Sequence, residues 1–528
     1  MGRHVDEADR RPAGETATTE KRRFVANTLV NGLAQSAAMI ASLVFMPLLI
    51  SAFGLGQYGL YMLVSSVTAY TALLDLGAGS ALTKMVAEHW ATGDRDALSG
   101  SVASTLSFYT VVGVVVSLVM VGVGFAAQRL FDFDPRSALI FRNMLWVAAV
   151  FQLWYWPAST ARHVLAGLQR YDLLAGTGVL ATALSIAATV WVLVSGSGPI
   201  ALIALNGAVT AAVALLNIVI ARRLAGVPLL TYRGASRTYL GAIFLFSWPI
   251  FAVQVSDAVF YQQTDRVVLG IFAGAAAVGL YEAAAKFNAL VAYVSSLTVS
   301  AVLPLASSLG AQGRHASLKA LLLRGTKYVA ALVAPITAVL AVVAAPLIAD
   351  WLGSGFNGQA TVAQVLVLPH MLVCLGVMGD AIVISKGRFG GRIPFVVAQA
   401  TLNLVLSVAL VGRYGVLGVA IGTAVAHVVD FPLHMWFLLR QTETSVGEWV
   451  RDVALRVYPL LIVPLAISSA LMRTSLAHSI PGILTAALLS LVPYWGLFSV
   501  LSLGRDEKHD VRSWLADLRV RFVRRSAG

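Results

Sequence analysis

Cysteine is almost missing, with a single residue, Cys374, in 528. One cysteine excludes an intramolecular disulfide and any cysteine-built metal cluster. Charge is scarce as well: Asp, Glu, Lys and Arg make up 12% of the chain, about half the share of a soluble protein. A chain of this length would form three or four soluble domains, and it has too few charges to wet their surfaces. No Gly-x-x-x-x-Gly-Lys-Ser/Thr run occurs, so ATP hydrolysis through such a loop is excluded. What is abundant is apolar, at 58% of residues and a mean hydropathy of +0.80. That composition suits a chain whose outer surface faces lipid.

A membrane-crossing helix needs about 20 apolar residues. Fourteen segments meet the rule: 24–52, 58–80, 99–128, 137–167, 172–194, 199–221, 240–262, 277–300, 326–349, 362–385, 393–411, 416–439, 457–472 and 480–503. The expected fold is an all-α polytopic membrane protein. Several spans contain proline, Pro157 and Pro432 among them. Membrane helices tolerate it because neighbours re-satisfy the freed carbonyls. With the N-terminus inside, 31 of the 38 Lys and Arg fall on inner segments and six on outer ones, while Lys286 lies within a span. The net charge of +13 therefore records topology, with both termini expected in the cytoplasm. Because the basic residues follow the membrane face rather than forming one patch, nucleic acid is not an expected partner. Residues 1–23 read as a polar leader ending in Lys21-Arg22-Arg23. Residues 504–528 read as a basic amphipathic tail, with Val511, Trp514, Leu515, Leu518 and Phe522 at helical spacing.

The chain also repeats itself. Phe53-Gly54-Leu55-Gly56-Gln57-Tyr58-Gly59-Leu60-Tyr61 recurs, with one insertion, from Phe272 to Gly279-Leu280-Tyr281, an offset of 220 from Gly59 to Gly279. Gly93 matches Gly313, Arg170-Tyr171 matches Arg388-Phe389, and Gly198-Pro199-Ile200 matches Gly415-Val416-Leu417, at offsets of 217 to 220. Four landmarks in order predict two homologous six-helix lobes, 24–221 and 240–439, joined by a basic linker at 222–239. An amphipathic linker at 440–456 and a final pair at 457–503 follow. Six is even, so the lobes are parallel repeats about an axis along the membrane normal, a geometry suited to alternating access.

The run Asn27-Thr28-Leu29 through Pro47-Leu48-Leu49, then Gly54 to Tyr61, Leu74-Asp75-Leu76-Gly77-Ala78-Gly79 and Val86-Ala87-Glu88 resembles the opening of bacterial polysaccharide flippases. These are the O-antigen and exopolysaccharide (Wzx-type) translocases of the multidrug/oligosaccharidyl-lipid/polysaccharide exporter superfamily. The resemblance implies export of an undecaprenyl-pyrophosphate-linked glycan across the bacterial cytoplasmic membrane. It also implies glycosyltransferases and a polysaccharide polymerase as partners. No cofactor is expected beyond a coupling H+ or Na+ gradient. Lipid II flippases and cation-coupled multidrug exporters of the same superfamily are the alternatives. Lipid II flippases carry cavity arginines on the first helix, whereas here Asn27, Asn31 and Gln35 line one face of it at i, i+4, i+8.

Such a cargo needs cationic or donor groups for its pyrophosphate, and amides, hydroxyls and aromatic faces for its sugars. Ionisable groups inside spans cost about 2.5–3.5 kcal/mol each, so they read as functional by default. Lys286 is the sharpest candidate, with Glu282 four residues earlier; an i,i+4 ion pair is the competing reading. Arg142 and Arg266 sit near outer span ends, where they either attract the head group or snorkel to the interface. Gln254, Asp257 and Tyr261 share a face, and Asp257 is a candidate partner for Lys286 or a coupling cation. Asp380, His427 and Asp430 are candidates for proton handling, His427 also for a structural hydrogen bond. Asp75 reads as a cap or a partner of Lys84. Trp154, Tyr155 and Trp156 lie mid-span and are candidates for sugar stacking. A membrane glycosyltransferase or polymerase is the reading of another class. Against it, the first external loop, near 52–57, has no acid, and the Asp-x-Asp run Asp132-Phe133-Asp134 falls on the expected outer side. The chain is therefore not expected to be an enzyme.

Overall fold

The computed structural model describes residues 32–245, save 33 and 34, and 264–509, save 313 and 506. The leader, the tail beyond 509, most of the span expected at 240–262, and Asn27, Asn31, Gln254, Asp257 and Tyr261 lie outside the described residues. The described chain is helical, and its packing divides it into two units that meet in sequence at Gly279 and Leu280.

In the first unit, α1 (Gln35–Phe53) leads to α2 (Leu55–Thr71) and α3 (Ala78–Thr92). There follow α4 (Arg95–Phe125), α5 (Pro135–Gly167), α6 (Tyr171–Ser195), α7 (Pro199–Ala225) and the short α8 (Thr264–Phe272). A further helix, α9 (Gly274–Ala311), spans the boundary and contains the segment expected at 277–300. The second unit continues with α10 (His315–Leu352), α11 (Gln359–Val367), α12 (Val377–Ser385) and α13 (Ile393–Gln441). It ends with α14 (Val446–Leu471) and α15 (Ile480–Leu501). Among the described residues nine helices are long and apolar enough to cross a membrane, or eleven if two bent pairs each count as one.

These helices are apolar nearly all round, as lipid as solvent requires. On α4, Tyr109, Val112, Val116 and Met120 are buried, while Val111, Leu118 and Val119 point outward and are exposed. The same alternation on α15 buries Tyr494 and Phe498 and exposes Leu488, Val492 and Val500. Several helices run through proline without ending, at Pro157, Pro335, Pro346, Pro432 and Pro493.

Two details go beyond hydropathy. The span expected at 58–80 is longer and broken. After a 3-10 turn at Ala72–Asp75, Leu76 and Gly77 take left-handed φ of 49° and 78°, and α3 departs at 46°. The spans expected at 393–411 and 416–439 are the two limbs of α13, which turns at Gly415 (φ 54°, ψ −130°). A Cβ on Gly418 would meet the Leu410 carbonyl, and one on Gly422 would meet Ser407. The Asn403 amide donates to Thr423 Oγ1 at 2.8 Å. These pairings make the limbs antiparallel.

The backbone echoes the sequence repeat. Gly54 and Gly274 share φ 78°, and Gln169 and Gly387 are left-handed at 57° and 66°. Within the first unit, a Cβ on Gly59 would lie 1.8 Å from the Ala275 carbonyl oxygen, and one on Gly279 would lie 2.7 Å from that of Leu55. Leu55 and Ala275, like Gly59 and Gly279, are repeat partners, so this contact is reciprocal. Gly59→Ala is therefore expected to destabilise the protein by about 1–3 kcal/mol through overpacking. Gly56→Ala, with nothing within 4 Å, is expected to be neutral or mildly stabilising. Thermal unfolding in detergent compares the two.

In the second unit, residues after α15 are tied back to α10. Lys327 Nζ donates to both Glu507 oxygens at 2.8 and 2.7 Å, and Tyr328 donates its hydroxyl to the same carboxylate at 2.9 Å. Burial alone would raise the Glu507 carboxyl. The Lys327 ammonium, the Gly504 N–H and the Tyr328 hydroxyl outweigh it and hold the group below the ordinary 4.5. A lowered folded value contributes stability above the unfolded value that is lost as pH falls through the folded one. The melting difference between wild type and Glu507→Gln is accordingly expected to stay constant at neutral pH and to shrink below about pH 4.5.

Candidate functional site

A cavity of about 590 Å³ opens in the first unit between α2, α5 and α7. Each helix supplies one polar stripe. From α2 and its 3-10 extension come Tyr61, Ser65, Thr68 and Asp75; from α5, Gln152, Tyr155, Trp156, Ser159, Arg162 and His163; from α7, Asn206 and Thr210. The intervals of three, four and seven residues keep each stripe on one helix face.

The stripes differ in what they offer a ligand. Ser65 and Thr68 donate their hydroxyls to their own helix, at the Tyr61 and Val64 carbonyls (2.9 Å each), and Ser159 does the same toward Trp156 at 2.6 Å. Their protons are occupied and their lone pairs remain as acceptors. The Asn206 amide donates to the Leu202 carbonyl at 3.0 Å. By contrast, Gln152 Oε1 and Trp156 Nε1 are buried without a hydrogen-bond partner among the described residues. Buried polar atoms are rarely left so, and these two suit a ligand rich in hydroxyls. Tyr155 and Trp156 add ring faces 6.0 Å apart between centroids, at 76°.

Charge is concentrated at one end. Asp75 sits at the break between α2 and α3, where an unwound turn lets a carboxylate face the cavity. It accepts from the Tyr109 hydroxyl at 2.5 Å and from the Gly79 N–H at 3.3 Å. Tyr109 packs against both Trp156 and His163, at 5.6 and 6.2 Å between ring centroids. Gly79 leaves room for the His163 ring, which a Cβ there would meet at 2.1 Å. Arg162 is exposed toward the cavity, and no carboxylate among the described residues forms an ion pair with it.

Of the residues singled out in the sequence, Tyr155 and Trp156 line this cavity, and Trp154 does not. Asp75 accepts from Gly79 in the first turn of α3 and from Tyr109, while the N-cap of α3 is Gly77; Lys84 pairs with Glu88 at 3.5 Å. Gln35 is exposed on α1. Arg142 lies over the Trp146 ring, 4.8 Å from its centroid, with its Nε buried and unpartnered among the described residues. On α9, Glu282 is buried and Lys286 half-buried, and Arg266 is half-buried on α8. Asp380 receives His434 Nε2 at 2.8 Å. Asp430 is clamped by Arg392 through bonds of 2.8 and 2.5 Å. His427 Nδ1 lies 2.8 Å from the Thr423 carbonyl. Asp134 of the Asp-x-Asp run accepts from the Arg136 and Ser137 N–H groups at 2.9 and 3.0 Å, which makes it the N-cap of α5. Sequence reasoning missed Arg162, His163, Gln152 and Asn206. The signal for Gln152 and Arg162 was the polar row 152, 155, 159, 162.

The chain is thus a polytopic helical membrane protein with a cavity lined by polar side chains in its first unit. The sequence matches the family described as polysaccharide biosynthesis protein over residues 24–309, more than half of the chain, and the chain belongs to that family. A curated relative, the "Probable low-salt glycan biosynthesis flippase Agl15" of Haloferax volcanii, is 25% identical over 195 residues, 37% of this chain. The chain spans about two fifths of that relative's length (41%). Among solved structures, lipid II flippase MurJ in an inward closed conformation superposes with a TM-score of 0.68 at 12% identity, covering 89% of this chain and 98% of that one. An inward-facing multidrug resistance MATE family transporter of the MOP superfamily gives 0.65 at 16% identity, covering 79% and 100%. At such identities the likeness is one of fold.

Proposed function

We propose that this protein is a flippase that carries a polyprenyl-pyrophosphate-linked oligosaccharide from the cytoplasmic to the outer leaflet of a bacterial cytoplasmic membrane. The observation that carries the reading is the cavity's composition: at its charged end one arginine that has no carboxylate partner among the described residues, then amide and indole groups unpartnered among those residues, acceptor hydroxyls and aromatic faces. Arg162 receives the pyrophosphate, and the stripe from Ser159 to Gln152 receives sugars. With both termini cytoplasmic, α5 runs inward, so Arg162 stands near the inner mouth, about 8 Å from the helix end by helical rise. The polyprenyl tail stays in lipid. The flippase activity named for the archaeal relative supports the same reading.

Alternating access of the two lobes moves the cargo, and the chemistry is transport rather than bond-making. Energy comes from a H+ or Na+ gradient or from consumption of the product outside. Lys286 with Glu282, and the Asp380, His427 and Asp430 sites, remain candidates for substrate or ion handling in the second lobe. Upstream reactions must build sugars onto the lipid carrier, and downstream ones must transfer the glycan off it. The test is deletion of the gene followed by leaflet-resolved analysis of lipid-linked oligosaccharide. Accumulation on the inner leaflet is expected. Unchanged glycolipid with raised sensitivity to cationic drugs would move the assignment to a multidrug exporter.

A further inference from the structure

A second pocket, of about 290 Å³, lies in the second unit where α10, α14 and the residues after α15 meet. Four cations line it, Arg324, Lys327, Arg456 and Arg505, against two acids, Asp452 and Glu507. The acids are engaged: Glu507 is held by Lys327 and Tyr328, and Asp452 accepts from Arg451 Nε at 3.0 Å. Arg456 donates to the Ser502 carbonyl at 3.4 Å. Arg324 and Arg505 are exposed, and neither forms an ion pair among the described residues. Three guanidinium groups thus line a space whose cations outnumber its carboxylates among the described residues. Planar guanidinium forks suit phosphate oxygens.

The surroundings identify the source of that phosphate. Leu455, directly before Arg456, is 63% exposed, and Val500 and Leu501, just before the pocket's far wall, are 63% and 60% exposed. Arg324 and Lys327 flank the inner boundary of the span expected at 326–349. A soluble anion has no use for an apolar flank; a lipid headgroup carries its own chains to it.

We infer that this pocket is a binding site for the phosphate headgroup of an anionic phospholipid, held by Arg324, Arg456 and Arg505, with the acyl chains along Leu455, Val500 and Leu501. The site is separate from the cargo cavity and does not depend on the reading of the cargo. Because Lys327 and Glu507 also line it, an occupied pocket ties the residues after α15 to the membrane face.

The test uses the full-length protein purified in detergent, with dioleoylphosphatidylglycerol as probe and dioleoylphosphatidylcholine as the neutral control. Native mass spectrometry is expected to show phosphatidylglycerol adducts retained roughly 10-fold or more over phosphatidylcholine, since each basic residue at an anionic surface adds several-fold. Arg324→Gln with Arg505→Gln is expected to abolish that preference while leaving the melting temperature in phosphatidylcholine unchanged. On the unsubstituted protein, phosphatidylglycerol is expected to slow phenylglyoxal labelling of Arg324 and Arg505, and phosphatidylcholine is not. Labelling rates indifferent to lipid charge, or a variant with wild-type selectivity, would overturn the inference. Displacement of the lipid by millimolar inorganic phosphate would overturn it too, by making the occupant a soluble anion.

Discussion

Replacing Arg162 by alanine is expected to lower glycan export roughly 10- to 150-fold, the range of one charge-assisted hydrogen-bonding group worth about 1.5–3 kcal/mol. A pyrophosphate entering the cavity sheds water on that side, and the guanidinium returns up to five donors in a fixed fork. Arg162 has no described carboxylate partner to strand and no place in the buried core. Expression and melting temperature should therefore stay near wild type, which separates lost function from lost fold. Arg162→Lys keeps the charge without the fork and should fall between the two. The measurement is surface polysaccharide in a deletion strain carrying each variant at matched protein level. Full export by Arg162→Ala would remove the residue, and with it the proposed place of the pyrophosphate.

The all-helical, apolar character of the chain was legible in the sequence because it is a local property. Left-handed glycines such as Gly54 and Gly274 mark the repeat in the chain as they do in the backbone. The break at Leu76–Gly77 was not legible, because Leu-Asp-Leu-Gly-Ala-Gly reads as the polar end of a span rather than as a bend inside a longer one. The cavity was hidden for a different reason. Isolated charges deep in apolar runs attract attention, and Lys286 is one. Arg162 lies close enough to a helix end to be counted with the inner basic residues. Only the packing of α5 against α2 and α7 shows that its polar row faces a cavity rather than the membrane interface. Partner choice was equally out of reach. Asp75 finds Tyr109 34 residues away and Asp430 finds Arg392 38 residues away. Neither pairing follows from spacing within one helix.

The Arg392–Asp430 pair should give a large stability effect, and a non-additive one. Both side chains are more than nine-tenths buried, at 2% and 7% exposure, and the two-pronged bond closes the antiparallel limbs of α13 opposite the Gly415 turn. Removing one partner of a buried pair costs about 3–5 kcal/mol, mostly from the charge left behind, whereas replacing both with apolar residues of similar volume is often neutral. Asp430→Leu and Arg392→Met are therefore each expected to destabilise the protein by about 3–5 kcal/mol, and the double variant to melt within a few degrees of wild type. Thermal unfolding of the three variants in one detergent decides this. An additive double variant would mean that the pair contributes by packing alone.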